Sequence, residues 1–308
     1  MSLVSFLTSH HAGELVFDKL ELHEIDEHTT VQQALKILKE KNIRALPVTR
    51  TEGGKKSYTG IISSFDLMAF IGFASYFSDL VEAKTEEEKA KAFGELQIAT
   101  TIVKDLVGQV SAEGRTVWTF APTQSLLPVF DYFSKGVHRA LVEQKDDHTG
   151  ALSFRLLSQT DVISFLGAHM GNPSLARIFS KPIEELNLCN PLGRGSREPE
   201  LVTISTKETA LEGFRVMHVK DIQAVPVVDD QGVIVSTLST SDTKGLDANN
   251  ITKCLLPVID FLKEMHGGRL IHPITCTPKD TLGEVVLKMK VATIHRHQRG
   301  KGKTDTEW

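Results

Sequence analysis

The stretch NIRALPV, residues 42–48, decides the fold of this chain because variants of it occur twice more. The other copies are VHRALVE at 137–143 and DIQAVPVV at 221–228. Each is a short apolar run, as expected for a buried strand. An arginine, Arg44 or Arg139, precedes the Ala-Leu pair in two of the copies. This recurrence indicates a repeat protein.

An amphipathic helix pattern precedes each run. Apolar residues recur there at i, i+3, i+4 and i+7, which places them on one helix face. Counted back from Arg44, Arg139 and Gln223, these positions hold Val31, Ala34, Leu35 and Leu38, then Leu126, Val129, Phe130 and Phe133, then Ala210, Gly213, Phe214 and Met217. A fourth copy begins with Leu282, Val285, Val286 and Met289 and has one extra residue before Arg296.

The three full copies continue in the same way after the apolar run. A polar turn leads into a second apolar strand, which predicts a hairpin. A Ser-x-x-Asp motif follows the hairpin, and its copies are Ser63–Asp66, Ser158–Asp161 and Ser239–Asp242. One unit is therefore strand, helix, strand, strand, helix. Such a unit is too small to bury its sheet alone, so pairs of units should pack together.

Taken together, these motifs resemble tandem cystathionine-β-synthase (CBS) domains paired as Bateman modules. Among such proteins, the chain is most similar to the gamma subunits of AMP-activated or sucrose-nonfermenting-type protein kinases. The resemblance is carried by His138–Arg139, His295–Arg296, ALPV at 45–48, AVPVV at 224–228, the Ser-x-x-Asp motifs and the linker IFSKPIEEL at 178–186. It implies an α/β fold of four CBS repeats in two Bateman modules, with the last repeat incomplete.

The predicted domain boundaries follow from the repeats. The first module covers residues 1–170, with repeats at about 15–75 and 105–168. The second covers 176–308, with a repeat at about 185–250, a truncated repeat at 265–297 and a polar tail at 298–308. The third repeat and the helix at 282–290 would then lack a sheet to pack on. We therefore expect residues from about 250 onward to be mobile or to pair with a second chain.

The repeated polar residues suit a nucleotide without catalysis. A carboxylate at a helix start can accept hydrogen bonds from both ribose hydroxyls, and an arginine fork suits phosphate oxygens. The resemblance implies nucleotide binding by Arg44, Ser63, Asp66, His138, Arg139, Ser158, Thr160, Asp161, Ser239, Ser241, Asp242, His295 and Arg296. An alternative stays open, because Ser-x-x-Asp is also close to a helix-capping arrangement. A lone arginine such as Arg44 can equally be a surface ion-pair partner.

The function expected from this resemblance is regulatory. The chain would be a gamma-like, adenine-nucleotide-sensing subunit that binds AMP, ADP or ATP in clefts between paired repeats and binds kinase alpha- and beta-type subunits. A homodimer through the CBS modules is a further expectation. The alternative is an interaction scaffold without nucleotide sensing. We expect no enzyme activity, metal or catalytic cofactor, since the sequence has no Gly-rich phosphate loop, metal-ligand spacing or nucleophile elbow.

Composition narrows the partners further. The formal net charge is −4, which does not favour nucleic-acid binding. No apolar run approaches the roughly 20 residues needed to span a bilayer, and the N-terminal stretch lacks a signal-peptide pattern. Three scattered cysteines, Cys189, Cys254 and Cys276, are typical of buried thiols in a reducing compartment. We therefore expect a cytoplasmic or nuclear protein that binds neither membrane nor nucleic acid.

Overall fold

The computed structural model describes residues 2–73, 97–145, 152–188 and 201–292. The helices in these ranges are α1 (Leu3–Ser9), α2 (Val31–Glu40), α3 (Ser64–Phe73), α4 (Leu126–Ser134), α5 (Gln159–Ala168), α6 (Pro173–Phe179), α7 (Ala210–Val219), α8 (Val258–Met265) and α9 (Leu282–Ala292). The strands are β1 (Ile25–Asp26), β2 (Ala45–Glu52), β3 (Lys55–Ser63), β4 (Thr119–Phe120), β5 (Arg139–Lys145), β6 (Leu152–Ser158), β7 (Ile204–Ser205), β8 (Ala224–Val228) and β9 (Ile234–Ser239).

Each of the first three repeats builds a three-stranded sheet of the same topology. A short entry strand pairs in parallel with the middle strand, and the middle strand forms an antiparallel hairpin with the third. The predicted order of strand, helix, strand, strand, helix is confirmed in the first two repeats. The third ends in a 3-10 turn, Thr240–Thr243, where the sequence pattern is weakly helical. The α/β class with CBS-type repeats is therefore confirmed.

The alignment of the second repeat with the first differs from our expectation by one residue. Helix α4 has 9 residues, whereas α2 has 10. A left-handed residue follows each helix, Asn42 with φ 49° and Gly136 with φ 95°. Counted from these residues, Arg44 corresponds to His138. The predicted match of Arg44 with Arg139 is wrong because it assumed helices of equal length.

Backbone hydrogen bonds confirm the corrected alignment. The carbonyl of Arg44 accepts from the N–H of Ser64 at 2.9 Å. In the second repeat the carbonyl of His138 accepts from the N–H of Gln159 at 3.2 Å. Arg139 is instead the first residue of β5 and lies opposite Ser158, as Ala45 lies opposite Ser63.

The chain forms two compact units, and each combines alternate repeats. The first–third unit comprises His23–Val117 and Val202–Pro273. The second–fourth unit comprises Met1–Leu22, Trp118–Leu201 and Ile274–Trp308. The predicted modules, 1–170 and 176–308, each draw on both units, and this division stays a prediction.

In the first–third unit, helices α3 and α7 pack against each other. The two helices are in contact at Gly72, where a Cβ would lie 3.7 Å from the backbone nitrogen of Arg215, an ordinary van der Waals distance. The guanidinium Nε of Arg215 donates to the carbonyl of Gly72 at 2.7 Å. Phe214 is buried and meets Phe261 of α8 edge to face, with ring centroids 5.7 Å apart. The expectation that the third repeat lacks a packing partner is therefore wrong.

In the second–fourth unit, helix α9 packs on α5 and α6. Val286 is 3% exposed, and a Cβ on Gly283 would lie 3.1 Å from the carbonyl oxygen of Phe179. The predicted linker also contacts α9, since the N–H of Leu282, the first residue of α9, donates to the carbonyl of Lys181 at 2.9 Å. The expectation that the chain lacks packing from about residue 250 onward is wrong for the described residues, which extend to Ala292. Residues 293–308, including the predicted tail, lie outside them.

Two further observations concern the cysteines and the helices. Cys254 is buried, and burial raises the pKa of its thiol to about 12. Cys276 is half-buried, and Cys189 lies outside the described residues. Across the part of the chain that the structure describes, no helix has the length and apolar character needed to cross a membrane.

Candidate functional site

The Ser-x-x-Asp motif folds into the same hydrogen-bonded turn in all three repeats. In each, one carboxylate oxygen, Oδ2, accepts from both the backbone N–H and the hydroxyl of the serine. The two distances are 2.8 and 2.6 Å for Asp66, 2.7 and 2.8 Å for Asp161, and 2.6 and 3.0 Å for Asp242. The alternative that the motif caps a helix start is therefore correct. Ligand binding depends on the second oxygen, Oδ1.

In the first repeat, Oδ1 is closed by the main chain. The N–H of Ser111 donates to Oδ1 of Asp66 at 3.1 Å, and Asp66 is 1% exposed. The segment carrying Ser111 is pressed against β3, because a Cβ on Gly60 would lie 2.2 Å from the carbonyl oxygen of Gly114. Phe65 takes the place that a hydroxyl residue has in the other repeats, and it is buried. Both carboxylate oxygens of Asp66 therefore accept hydrogen bonds from the chain itself, and its role in nucleotide binding stays a prediction.

In the third repeat, Oδ1 is closed by a side chain. Nε2 of His266 lies 2.9 Å from Oδ1 of Asp242, whose side chain is 7% exposed. This hydrogen bond raises the pKa of His266, against the opposing effect of burial. Lys244 is nearby, and its pKa falls to about 8 because burial and the charge of Arg44 outweigh the attraction of Asp242. Two predicted site residues, Arg44 and Asp242, therefore share one charged neighbourhood.

In the second repeat, Oδ1 of Asp161 has no hydrogen-bond partner among the described residues. Oδ2 accepts a third hydrogen bond, from Nζ of Lys19 at 2.7 Å, and the Asp161 side chain is 15% exposed. Lys19 Nζ also donates to the carbonyl of Leu156 at 2.5 Å. The carboxylate thus keeps one open acceptor oxygen beside a fixed ammonium group.

Lys19 was not among the residues predicted from sequence. It lies in the segment that leads from the N-terminal region toward β1, outside every repeat motif. Arg155 of β6 holds this segment in place, because its Nε donates to the carbonyl of Lys19 at 2.7 Å. Phe17 and Leu20, on either side, are exposed. A lysine 142 positions away from Asp161 in sequence carries no signal that links it to the aspartate.

The other predicted residues of the second repeat lie beside Asp161 in sequence or on the strand that pairs with Ser158. Thr160 immediately precedes Asp161 at the start of α5, and it is half-buried. His138 and Arg139 enter β5 beside Ser158, and both are half-buried. Ser241 is the corresponding half-buried hydroxyl residue of the third repeat. The predicted residues His295 and Arg296 lie outside the described residues.

The described ranges hold no group of three His, Cys, Asp or Glu side chains arranged to bind a metal ion. Their polar groups include three separate capped carboxylates, two of which, Asp161 and Asp242, have cationic groups nearby. Acceptor oxygens and cationic donors in this combination suit a hydroxylated, anionic ligand.

The fold and the repeated capped aspartate are similar to those of CBS-domain proteins. The CBS domain model matches residues 19–72 and 197–243, which are the first and third repeats. The predicted resemblance to CBS domains is therefore confirmed. The second repeat has the same topology, although the CBS family model does not match it. Protein MJ1225 from Methanocaldococcus jannaschii has the same fold, with a TM-score of 0.63 and 20% identity over 92% of this chain and 90% of that one.

Relatives with established names extend over nearly the whole chain. The Arabidopsis thaliana SNF1-related protein kinase regulatory subunit gamma-like PV42a is 24% identical over 92% of this chain and 87% of that protein. Its counterpart PV42b is 22% identical over 96% of this chain and 90% of that protein. Protein sds23 from Aspergillus clavatus is 27% identical over 92% of this chain but only 54% of its own length. The chain is thus similar to kinase gamma-like subunits.

Proposed function

We propose that this chain is a non-catalytic regulatory subunit of a SNF1-related or AMP-activated-type protein kinase and binds an adenine nucleotide at its second repeat. The observation that carries the proposal is Oδ1 of Asp161, which accepts no hydrogen bond from the described residues. The corresponding oxygens of Asp66 and Asp242 already accept hydrogen bonds from Ser111 and His266.

The chemistry of the second repeat supports a nucleotide as the ligand. A ribose offers two vicinal hydroxyls, and one carboxylate oxygen has two lone pairs to accept from them. Lys19 has three ammonium protons, of which two already bind Asp161 and Leu156. The third can donate to a phosphate oxygen, and Arg139 offers a planar fork for the same group.

The kinase partner is supported by the relatives. Two proteins named as gamma-like regulatory subunits align along most of this chain and most of their own length. We therefore propose that alpha- and beta-type kinase subunits bind this chain. The second candidate is a scaffold that does not sense nucleotides. It is favoured because Oδ1 of Asp66 and Oδ1 of Asp242 already accept hydrogen bonds from other residues of the chain.

Calorimetric titration of the full chain with AMP, ADP and ATP tests the nucleotide site. Asp161→Asn should weaken binding at least about tenfold, since a hydrogen bond to a charged group contributes roughly 1.5–3 kcal/mol. Asp131→Asn is the matched control, because that carboxylate is exposed on α4 and pairs with Lys135. Deoxyadenosine monophosphate, which lacks one ribose hydroxyl, should bind the wild-type chain less tightly than AMP.

Two outcomes would contradict this proposal. The first is no adenine-nucleotide binding at millimolar concentration by a folded chain. The second is unchanged affinity in folded Asp161→Asn. If kinase subunits co-purify with the chain while nucleotides do not bind, the scaffold is the correct function.

Salt and pH provide an independent test of the phosphate contacts. Added salt should weaken binding, because partly exposed cations are screened. Protonation of His138 near a phosphate should strengthen binding as the pH falls from about 8 to about 6. Arg139→Glu should weaken binding about tenfold or more in a folded protein. Unchanged affinity in that variant would remove Arg139 from the site, and affinity independent of pH would remove His138.

A further inference from the structure

The third repeat holds a carboxylate that is closed in a different way from the first. Oδ2 of Asp242 accepts hydrogen bonds from the N–H and hydroxyl of Ser239, and Oδ1 is hydrogen-bonded to the imidazole of His266. The closing donor in the first repeat is the main-chain N–H of Ser111, which cannot leave without moving a packed segment. In the third repeat the donor is an imidazole, which can leave by side-chain rotation alone.

His266 lies at the end of a helix, where its side chain is partly exposed. His266 caps the C-terminus of α8 and its side chain is 30% exposed. Gly267 and Gly268 follow with φ angles of 65° and 82°, and no atom lies within 4 Å of a Cβ built on either. Helix α8 itself is held in the core by Phe261, which is buried. His266 therefore lies at a partly exposed helix end, and its imidazole is the mobile part of the contact if α8 stays in place.

Cations lie near the same carboxylate. Lys244 follows Asp242 by two positions and is half-buried, and the charge of Arg44 acts on it. Two partly desolvated cations that repel each other are stabilised by a shared anion. Ser241 adds a hydroxyl next to Asp242 in sequence. The groups needed for a hydroxylated anion are thus present, and His266 blocks the acceptor oxygen.

We propose that His266 is the residue that controls access to a second ribonucleotide site, in which Asp242 binds the ribose hydroxyls and Arg44 and Lys244 bind phosphate. The ligand enters by displacing the imidazole from Oδ1. This inference rests on the proposed function for the class of its ligand, but it concerns a different carboxylate.

The site should respond to pH in the opposite direction from the second repeat. Asp242 raises the pKa of His266 above its ordinary 6.5, so displacement of the imidazole releases a proton in the window above that value. Affinity should therefore rise with pH between 6.5 and the raised pKa, by up to about tenfold per pH unit. The other charged groups on α8 are Asp260, Lys263 and Glu264. Asp260 pairs with Lys263, and Glu264 pairs with Lys253. From the facing segment Asp242 acts on His266, and Lys244 and Arg44 lie in the same charged neighbourhood.

The experiment is calorimetric titration of the full chain with AMP at about pH 6 and about pH 8. At about pH 6 the wild-type chain should show one tight site, which depends on Asp161. His266→Ala should add a second site at both pH values. That site should be about tenfold or more tighter than in wild type at about pH 6, and the difference should be smaller at about pH 8. Adding Asp242→Asn to His266→Ala should remove that second site.

Two further variants test whether the effect comes from displacement of the His266 imidazole or from a general change in the protein. His266→Gln can still donate to Asp242 but does not titrate, so its second site should stay weak at both pH values. His272→Ala, in an exposed position of the same unit, should behave as wild type. Circular dichroism checks that each variant is folded.

The outcomes distinguish this inference from the proposed function. If folded His266→Ala shows a single site that depends on Asp161 and matches wild type at both pH values, the inference is overturned and the proposed function stands. A second site in His266→Ala that survives Asp242→Asn also overturns it. An Asp242-dependent site without any effect of Asp161→Asn supports the inference and contradicts the proposed function. No binding by any variant contradicts both.

Discussion

Replacing Asp66 with alanine should destabilise the protein far more than replacing Asp161, although both residues end the same motif. The Asp66 carboxylate accepts three hydrogen bonds, from the N–H and hydroxyl of Ser63 and from the N–H of Ser111. Asp66 is 1% exposed, so water cannot take over these donors. Asp161 is more accessible, and water can replace its carboxylate at Ser158.

The difference can be estimated from the groups left without partners. Asp66→Ala leaves the buried N–H of Ser63 and the half-buried N–H of Ser111 without their acceptor. Each costs about 1–3 kcal/mol, so the free energy of unfolding should fall by roughly 2–6 kcal/mol. Asp161→Ala removes a half-buried cap and the half-buried ion pair with Lys19, and should cost about 0.5–2 kcal/mol. Asp66→Asn should fall between wild type and Asp66→Ala, because the amide keeps one acceptor oxygen but turns an NH₂ toward the other donor.

Urea unfolding followed by circular dichroism measures these differences. Ser2→Ala, an exposed serine that caps α1, is a control for the loss of an accessible cap and should resemble Asp161→Ala. If Asp66→Ala loses less than about 1 kcal/mol, or no more than Asp161→Ala, then the Ser111 contact does not close the first repeat. Asp66 would then become a candidate ligand group again.

Three further predictions concern packing. Gly60→Ala should cost about 1–3 kcal/mol in urea unfolding, because its Cβ would lie 2.2 Å from a facing carbonyl oxygen, whereas Gly171→Ala, in open space, should change stability by less than about 0.5 kcal/mol. Phe214→Ala should cost about 3–5 kcal/mol, and a loss below about 1 kcal/mol would contradict its place in the core. Val286→Asp should release α9 and make it the first target of limited proteolysis, whereas Leu287→Asp, on the exposed side, should not. Equal cleavage in both variants would show that α9 is not packed through Val286.

The sequence predicts the secondary structure of the repeats well, because its signals are local. Val31, Ala34, Leu35 and Leu38 are all buried on one side of α2, as their spacing requires. Ser63 and Asp66 are three residues apart, so the hydrogen bonds between them follow from the strand-to-helix turn alone. The same turn recurs in each full repeat because the same two residue types recur.

The exact register of the second repeat could not be predicted in this way. The pattern places the start of α4 correctly at Leu126, but it does not show that the helix ends one residue early. Gly136 takes the left-handed position directly after this shorter helix, and His138 consequently takes the place of Arg44. Helix length depends on how the last turn packs, which a repeated apolar spacing does not encode.

By itself, then, the sequence determines three capped aspartates, since each cap joins residues only three positions apart. Tertiary structure alone decides which of them can accept a ligand. The second oxygen of Asp66 is closed by a residue 45 positions away and that of Asp242 by one 24 positions away, whereas Lys19 reaches Asp161 from 142 positions away and leaves Oδ1 open. Such partners meet only when the helices and sheets pack, because burial of apolar faces selects the long-range contacts and the polar groups must pair within the space that remains.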